Sequence, residues 1–100
     1  MQRMKKEDRG ALLRQAAVDV ALETGYSSVT REQVAERGGV SAGLVSRLLG
    51  DMDVLKHNIM LDGCAEGNLP IIVEGVIHKE PVARKAAKKY RDAIVLWLFK

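Results

Sequence analysis

One hundred residues, 47% hydrophobic but only 4% aromatic, make one small folded domain whose core has to be aliphatic. The net charge of +3 is spread evenly, with eight Lys/Arg against six Asp/Glu in residues 1–50 and eight against seven in 51–100, so it permits a polyanionic partner without demanding one. A lone cysteine, Cys64, excludes an intramolecular disulfide; the charged start MQRMKKEDRG is no signal peptide, and the longest apolar stretch, Ala93 to Phe99, is far short of a bilayer, so a cytoplasmic protein without membrane contact is expected.

Residues 1–8 read as a flexible basic arm, whose Arg3, Lys5 and Lys6 are suited to lie along phosphates or enter a minor groove. Helical periodicity sets in at Glu7 and runs to Glu23, with Leu12, Leu13, Ala16, Ala17, Val20 and Ala21 on one apolar face. Gly25 ends that helix, and Tyr26 is expected to pack against the next helical unit.

Thr30 to Leu49, TREQVAERGGVSAGLVSRLL, reads as two short helices joined by a tight turn. Thr30 with Gln33 is a capping box, Val34 and Ala35 face inward, and Gly38 and Gly39 stop the first helix. Val40 returns to the core, Ser41 caps the second helix, and Val45, Leu48 and Leu49 are its inner stripe. Ala42, Gly43, Ser46 and Arg47 are left outside. A helix with so small a polar face, ending in an arginine, fits the major groove, which makes a helix-turn-helix DNA reader the leading expectation. Arg47 is the expected base reader, since a guanidinium can pair bidentately with guanine.

The stretch ALLRQAAVDVALETGYSSVTREQVAERGGVSAGLVSRLLGDMDVL resembles the N-terminal DNA-binding domain of the tetracycline-repressor (TetR) family of transcriptional regulators. The pairs Leu12-Leu13 and Ala16-Ala17, Gly25-Tyr26, Thr30, Val34-Ala35, Gly39-Val40-Ser41, Gly43, Val45, Leu49, Asp53 and Leu55 carry the resemblance in order. It covers residues 9–57, the expected DNA-binding region, and implies a three-helix head followed by a fourth helix leading into a dimerising body. By that resemblance Thr30 and Arg31 touch the DNA backbone, and Ser41, Ala42 and Gly43 bring the second helix close to phosphate and bases. Ser46 stands where the family usually has a phosphate-contacting tyrosine. Leu48 replaces the usual histidine or tyrosine, and Met52 a common lysine, which puts the family's backbone grip in doubt.

Asp51 is placed to cap a fourth helix through Leu55, Ile59 and Asp62 that fades by Gly63 or Gly67. In NLPIIVEGVIHK, residues 68–79, Asn68-Leu69-Pro70 looks like a helix start, although the β-branched run would also suit a strand paired across a dimer. A helix is expected, because a lone strand has nothing to pair with in this chain. From Pro81 to Leu98 one amphipathic helix is predicted, with Arg84, Lys85, Lys88, Lys89 and Arg91 on its polar side. Its end is apolar nearly all round, so a homodimer interface is expected there, with Ile94, Trp97, Leu98 and Phe99 as its residues.

No catalytic constellation, phosphate loop or metal spacing is visible, and His57 and His78 have no partner at ligand spacing. A non-enzymatic, cofactor-free chain is therefore expected. The expected fold is all-α, a helix-turn-helix head with two or three further helices in residues 58–100 forming a dimerisation region. The expected activity is that of a homodimeric repressor on double-stranded DNA with a palindromic operator, in a chain too short for the family's usual inducer pocket. The competing expectation is a protein-interaction module, an antirepressor or corepressor, acting through Ile71–Ile77 or Ala93–Phe99 on an unknown protein partner.

Overall fold

A computed structural model describes residues 6–100, with side chains from residue 8 onward. Within them the fold is all-helical. The elements are α1 (Lys6–Thr24), a 3-10 turn (Tyr26–Ser28), α2 (Arg31–Gly38), α3 (Ala42–Leu49), α4 (Met52–Glu66), α5 (Leu69–Ile77), α6 (Pro81–Lys89) and α7 (Arg91–Leu98). The chain divides into two compact units, Met1–Ile59 and Met60–Lys100, with the cut inside α4. No described helix is long and apolar enough to cross a membrane.

In the first unit α1 packs on α2, α3 and the 3-10 turn. Lys6, assigned to the arm by sequence, is the first residue of α1, whereas Arg3 and Lys5 lie outside the described residues. Leu13, Ala16, Ala17, Val20 and Ala21 are buried as the periodicity predicts. Leu12 is instead 55% exposed, and Val18 takes a core place. With the buried arc centred on Ala17, position 12 falls about 140° away and position 18 about 100°, so the wider arc reaches Val18 and misses Leu12. Val29, Val34, Ala35, Val45, Leu49, Leu55 and Ile59 complete this aliphatic core. Asp51 caps α4 as expected, its Oδ1 accepting from the Val54 N–H at 3.0 Å.

The second unit is built by close approach. α4 runs on through Gly63, because that glycine is a seat rather than a stop: a Cβ there would lie 2.6 Å from Ile71 Cγ2. The helix ends at Gly67, in left-handed conformation, where the Asn68 N–H reaches the Gly63 carbonyl at 2.8 Å and the Gly67 N–H reaches that of Cys64 at 3.2 Å. Residues 69–77 are helical, as expected. Ile71, Ile72 and Gly75 are buried, while Val76 and Ile77 are exposed. A Cβ on Gly75 would collide with Ala83 and with the Met60 sulfur, so the glycine that weakens α5 as a helix is what lets α6 sit on it.

The single helix predicted from Pro81 to Leu98 is two. It breaks at Tyr90, whose backbone sits at φ −105°, ψ 23°, and whose ring packs over Gly67, where a Cβ would lie 2.9 Å from Cζ. Both α6 and α7 pack on α5, which one straight rod about 27 Å long would not allow. The apolar periodicity runs unbroken across Tyr90, so only tertiary packing marks the break.

Two consequences are measurable. The α5 C-terminus is closed by the same hydrogen-bond pattern as α4, Glu80 N–H to Gly75 O at 2.8 Å and Lys79 N–H to Val76 O at 3.0 Å, but its left-handed residue is Lys79 at φ 60°. A left-handed lysine costs about 1–2 kcal/mol that glycine does not. Lys79→Gly should therefore stabilise the protein by about 0.5–1 kcal/mol in urea denaturation, the lower figure allowing for glycine's unfolded-state entropy. The second concerns Cys64, which is buried with its thiol 3.7 Å from the Met60 sulfur. Burial, and then the Glu80 carboxylate, push its pKa upward. The folded chain thus holds this proton where the unfolded chain releases it. The resulting stabilisation is complete below the unfolded thiol's pKa and is lost as pH rises through the folded one. Cys64→Ala should flatten that alkaline fall in unfolding free energy, and native Cys64 should react with iodoacetamide far more slowly than in denaturant.

Candidate nucleic-acid interface

The α2–α3 pair, eight residues each, is fixed by caps at both starts and by a glycine turn between them. Thr30 Oγ1 accepts from the Gln33 N–H at 3.1 Å, and Gln33 Oε1 accepts from the Thr30 N–H at 2.9 Å, forming the predicted capping box. Ser41 Oγ accepts from the Leu44 N–H at 3.1 Å at the start of α3. Both hydroxyls keep a hydrogen that they can still donate outward.

The two glycines of the turn divide the work that sequence assigned to both. Gly38 is the last residue of α2, where Leu13 of α1 occupies the place of any Cβ. Gly39 alone is left-handed, φ 68° and ψ 33°. Its N–H bonds to Glu36 O at 3.2 Å and the Val40 N–H to Ala35 O at 3.0 Å, so the chain leaves α2 in one defined direction and returns half-buried Val40 toward the core.

Val45 and Leu49 then anchor α3 in the core, with Leu44 and Leu48 half-buried beside them. Of the expected outward residues, Gly43 and Arg47 are exposed and Ala42 and Ser46 are half-buried; the capping Ser41 is exposed as well. The Ser46 hydroxyl donates to the Ala42 carbonyl at 3.3 Å, a bond within its own helix that leaves only an acceptor lone pair facing out. Arg47 has no ion pair or hydrogen bond among the described residues. From Gly38 to Gly50 no residue is acidic.

Thr30 is exposed and Arg31 half-buried at the start of α2. The Arg31 Nε is enclosed without a hydrogen-bond partner. A charged donor in that condition is costly to leave unsatisfied, and an anionic oxygen beside the helix start would satisfy it. Glu32 in the same turn works against an anion there. Arg37 is turned to another use, since it makes a 2.6 Å ion pair with Glu23 of α1. Sequence reasoning also passed over Lys56. It donates to the Ser27 carbonyl at 3.4 Å, and its Nζ stands 5.8 Å from the centre of the Tyr26 ring, whose hydroxyl in turn donates to Lys56 O at 3.3 Å. Tyr26 does pack, but the partner it shows is Lys56 of α4, beyond the next helical unit that was expected and too far along the chain for periodicity to reveal.

At the other candidate surface, α7 buries no residue fully. Ile94 and Trp97 are half-buried within their own unit, and Leu98 and Phe99 are exposed, Phe99 at 83%. Leu96, not singled out by sequence, is 74% exposed. Among the described residues no cluster of His, Cys, Asp or Glu could hold a metal ion. No protein-family model matches the chain, nor does any curated protein or solved structure.

Proposed function

We propose that this chain is a sequence-specific regulator of transcription, a homodimer that binds a palindromic operator in double-stranded DNA through α3 and represses by occupying it. What carries the reading is the outward side of α3: exposed Ser41, Gly43 and Arg47 on a helix clamped by two caps and two core anchors, with no acidic residue from Gly38 to Gly50. The resemblance of residues 9–57 to the tetracycline-repressor head supports the same reading.

In this proposal α2 and α3 act as a helix-turn-helix. The slender N-terminal end of α3 enters the major groove, about 12 Å wide, with its backbone close to the DNA at Ala42 and Gly43. Arg47 donates two parallel hydrogen bonds to a guanine edge. Thr30 and Arg31 hold phosphate with the start of α2, Ser41 with that of α3, and Ser46 accepts at the groove edge. Arg3, Lys5 and Lys6 add sequence-independent affinity along the backbone. No bond is made or broken, so the activity calls for no cofactor.

Doubling falls to α7. Leu96 and Phe99 are its outermost apolar side chains, and covering such surface yields about 25 cal/mol per Å². An isologous pairing would bury the same residues twice and present two copies of α3 to two half-sites.

Anisotropy titrations against the DNA upstream of the protein's own gene and against scrambled duplex, at two salt concentrations, test the reading. Arg47→Ala should cost about 1–3 kcal/mol on the specific duplex with an unchanged circular dichroism spectrum. Gly43→Ala should separate fold from function: only Ser41 Oγ, at 3.9 Å, neighbours the added methyl, so helix stability should rise by up to about 1 kcal/mol while operator affinity falls. Equal affinity for both duplexes, lost together with modest salt, would refute specific recognition. For the dimer, Leu96→Glu should halve the mass seen in sedimentation, and a wild-type chain already sedimenting as a monomer would refute the pairing.

A further inference from the structure

We infer that the groove beside α6 docks an acidic amphipathic helix of a partner protein. α6 carries Arg84, Lys85, Lys88 and Lys89 and not one acidic residue, while Ala83 and Ala86 bury its other side. Arg84, Lys85 and Lys88 are exposed, and none has an ion pair or hydrogen bond among the described residues. Lys89 is drawn off toward the Tyr90 ring, its Nζ 5.4 Å from the centroid. Arg84 and Lys88 stand four residues apart, the spacing at which like charges destabilise a helix. Their cost is relieved when carboxylates come between them.

The cations alone would describe a solvated face. The second observation is the surface they share. A groove of about 520 Å³ is lined by apolar Val76, Pro81 and Ala87 together with the cations Arg84, Lys85 and Lys88. Exposed Ile77 follows Val76 at the end of α5. An occupant complementary to both parts needs aliphatic side chains on one stripe and carboxylates beside it, which is the face of an acidic amphipathic helix. The nine residues of α6 span about 13 Å, the length of two to three turns of such a helix. A DNA backbone would satisfy the cations and leave the apolar lining in water.

The test uses the full chain and a fluorescein-labelled 14-residue helical peptide of Glu, Leu and Ala with leucines at i, i+3, i+4 and i+7. Saturable binding is expected, weakened at least tenfold by Arg84→Glu combined with Lys88→Glu, both exposed positions that leave the circular dichroism unchanged. The same peptide with Lys for Glu should bind that double variant and not the wild type. A peptide with Ser for Leu should lose at least tenfold against the wild type. Equal binding of the Ser and Leu peptides would overturn the proposal by reducing it to charge alone. Displacement of the peptide from the groove by random duplex or by anionic vesicles, with the same dependence on Arg84 and Lys88, would overturn it by reassigning the face. The double variant keeps Arg47 and the whole of α3, so operator binding measured alongside reports on the DNA reading independently.

Discussion

The contact on which the first unit depends is the seating of Leu13 of α1 in the space left by Gly38 of α2. Leu13 is one of the largest fully buried side chains, and any residue with a Cβ at 38 would have to push it aside. The left-handed Gly39 then turns the chain within a single residue, with Val40 N–H closing onto the Ala35 carbonyl. Ser41 can cap α3 only because that turn has delivered it to the right place. Cap, turn and anchor thus form one chain of consequence, and the outward side of α3 is its last link.

The second unit solves the same problem with the same means. With so few aromatic residues the core cannot be filled by large rings, so helices are brought together until small aliphatic groups touch. Gly63 receives Ile71, and Gly75 receives Ala83 and Met60. The 41 residues from Met60 to Lys100, packed this way, have little interior to spare, and α7 shows the result, since no residue on it is fully buried. A small unit exposes a large fraction of its surface, and here that fraction includes Leu96, Leu98 and Phe99 beside the charged residues.

How far the sequence was legible depends on the range of each interaction. Caps at Thr30, Ser41 and Asp51 involve a side chain and an N–H three residues away, so the residues themselves announce them. The helical character of residues 69–77 was also accessible, because the alternative needed a partner strand. The break at Tyr90 was not, since the Tyr90 ring rests on Gly67, a distant residue, and the apolar pattern continues through it. The choice between Gly63 and Gly67 as the end of α4 stayed open for the same reason: a glycine that ends a helix and one that admits a neighbour look alike until the neighbour is known. Leu12 and Val18 changed places because the buried arc of α1 is centred on Ala17. Leu96 was hidden among equally apolar neighbours, and only its exposure singles it out.

Charge placement sharpens the difference between the two candidate surfaces. Affinity for a nucleic-acid backbone grows with the number of phosphates neutralised, whereas discrimination comes from base edges. α2 and α3 together hold Arg31, Arg37 and Arg47 against Glu32 and Glu36, and Arg37 is already engaged by Glu23. A surface with that balance gains little from backbone electrostatics. On the proposed reading its grip on an operator must come from fit at Gly43 and Arg47 and from the presence of two copies. The crowded cations are on α6, in a groove shared with apolar Val76, Pro81 and Ala87, which no phosphate backbone would cover. Net charge is therefore a poor guide to this chain, because Arg47 and the more numerous cations of α6 stand on different helices, beside surfaces of different chemistry.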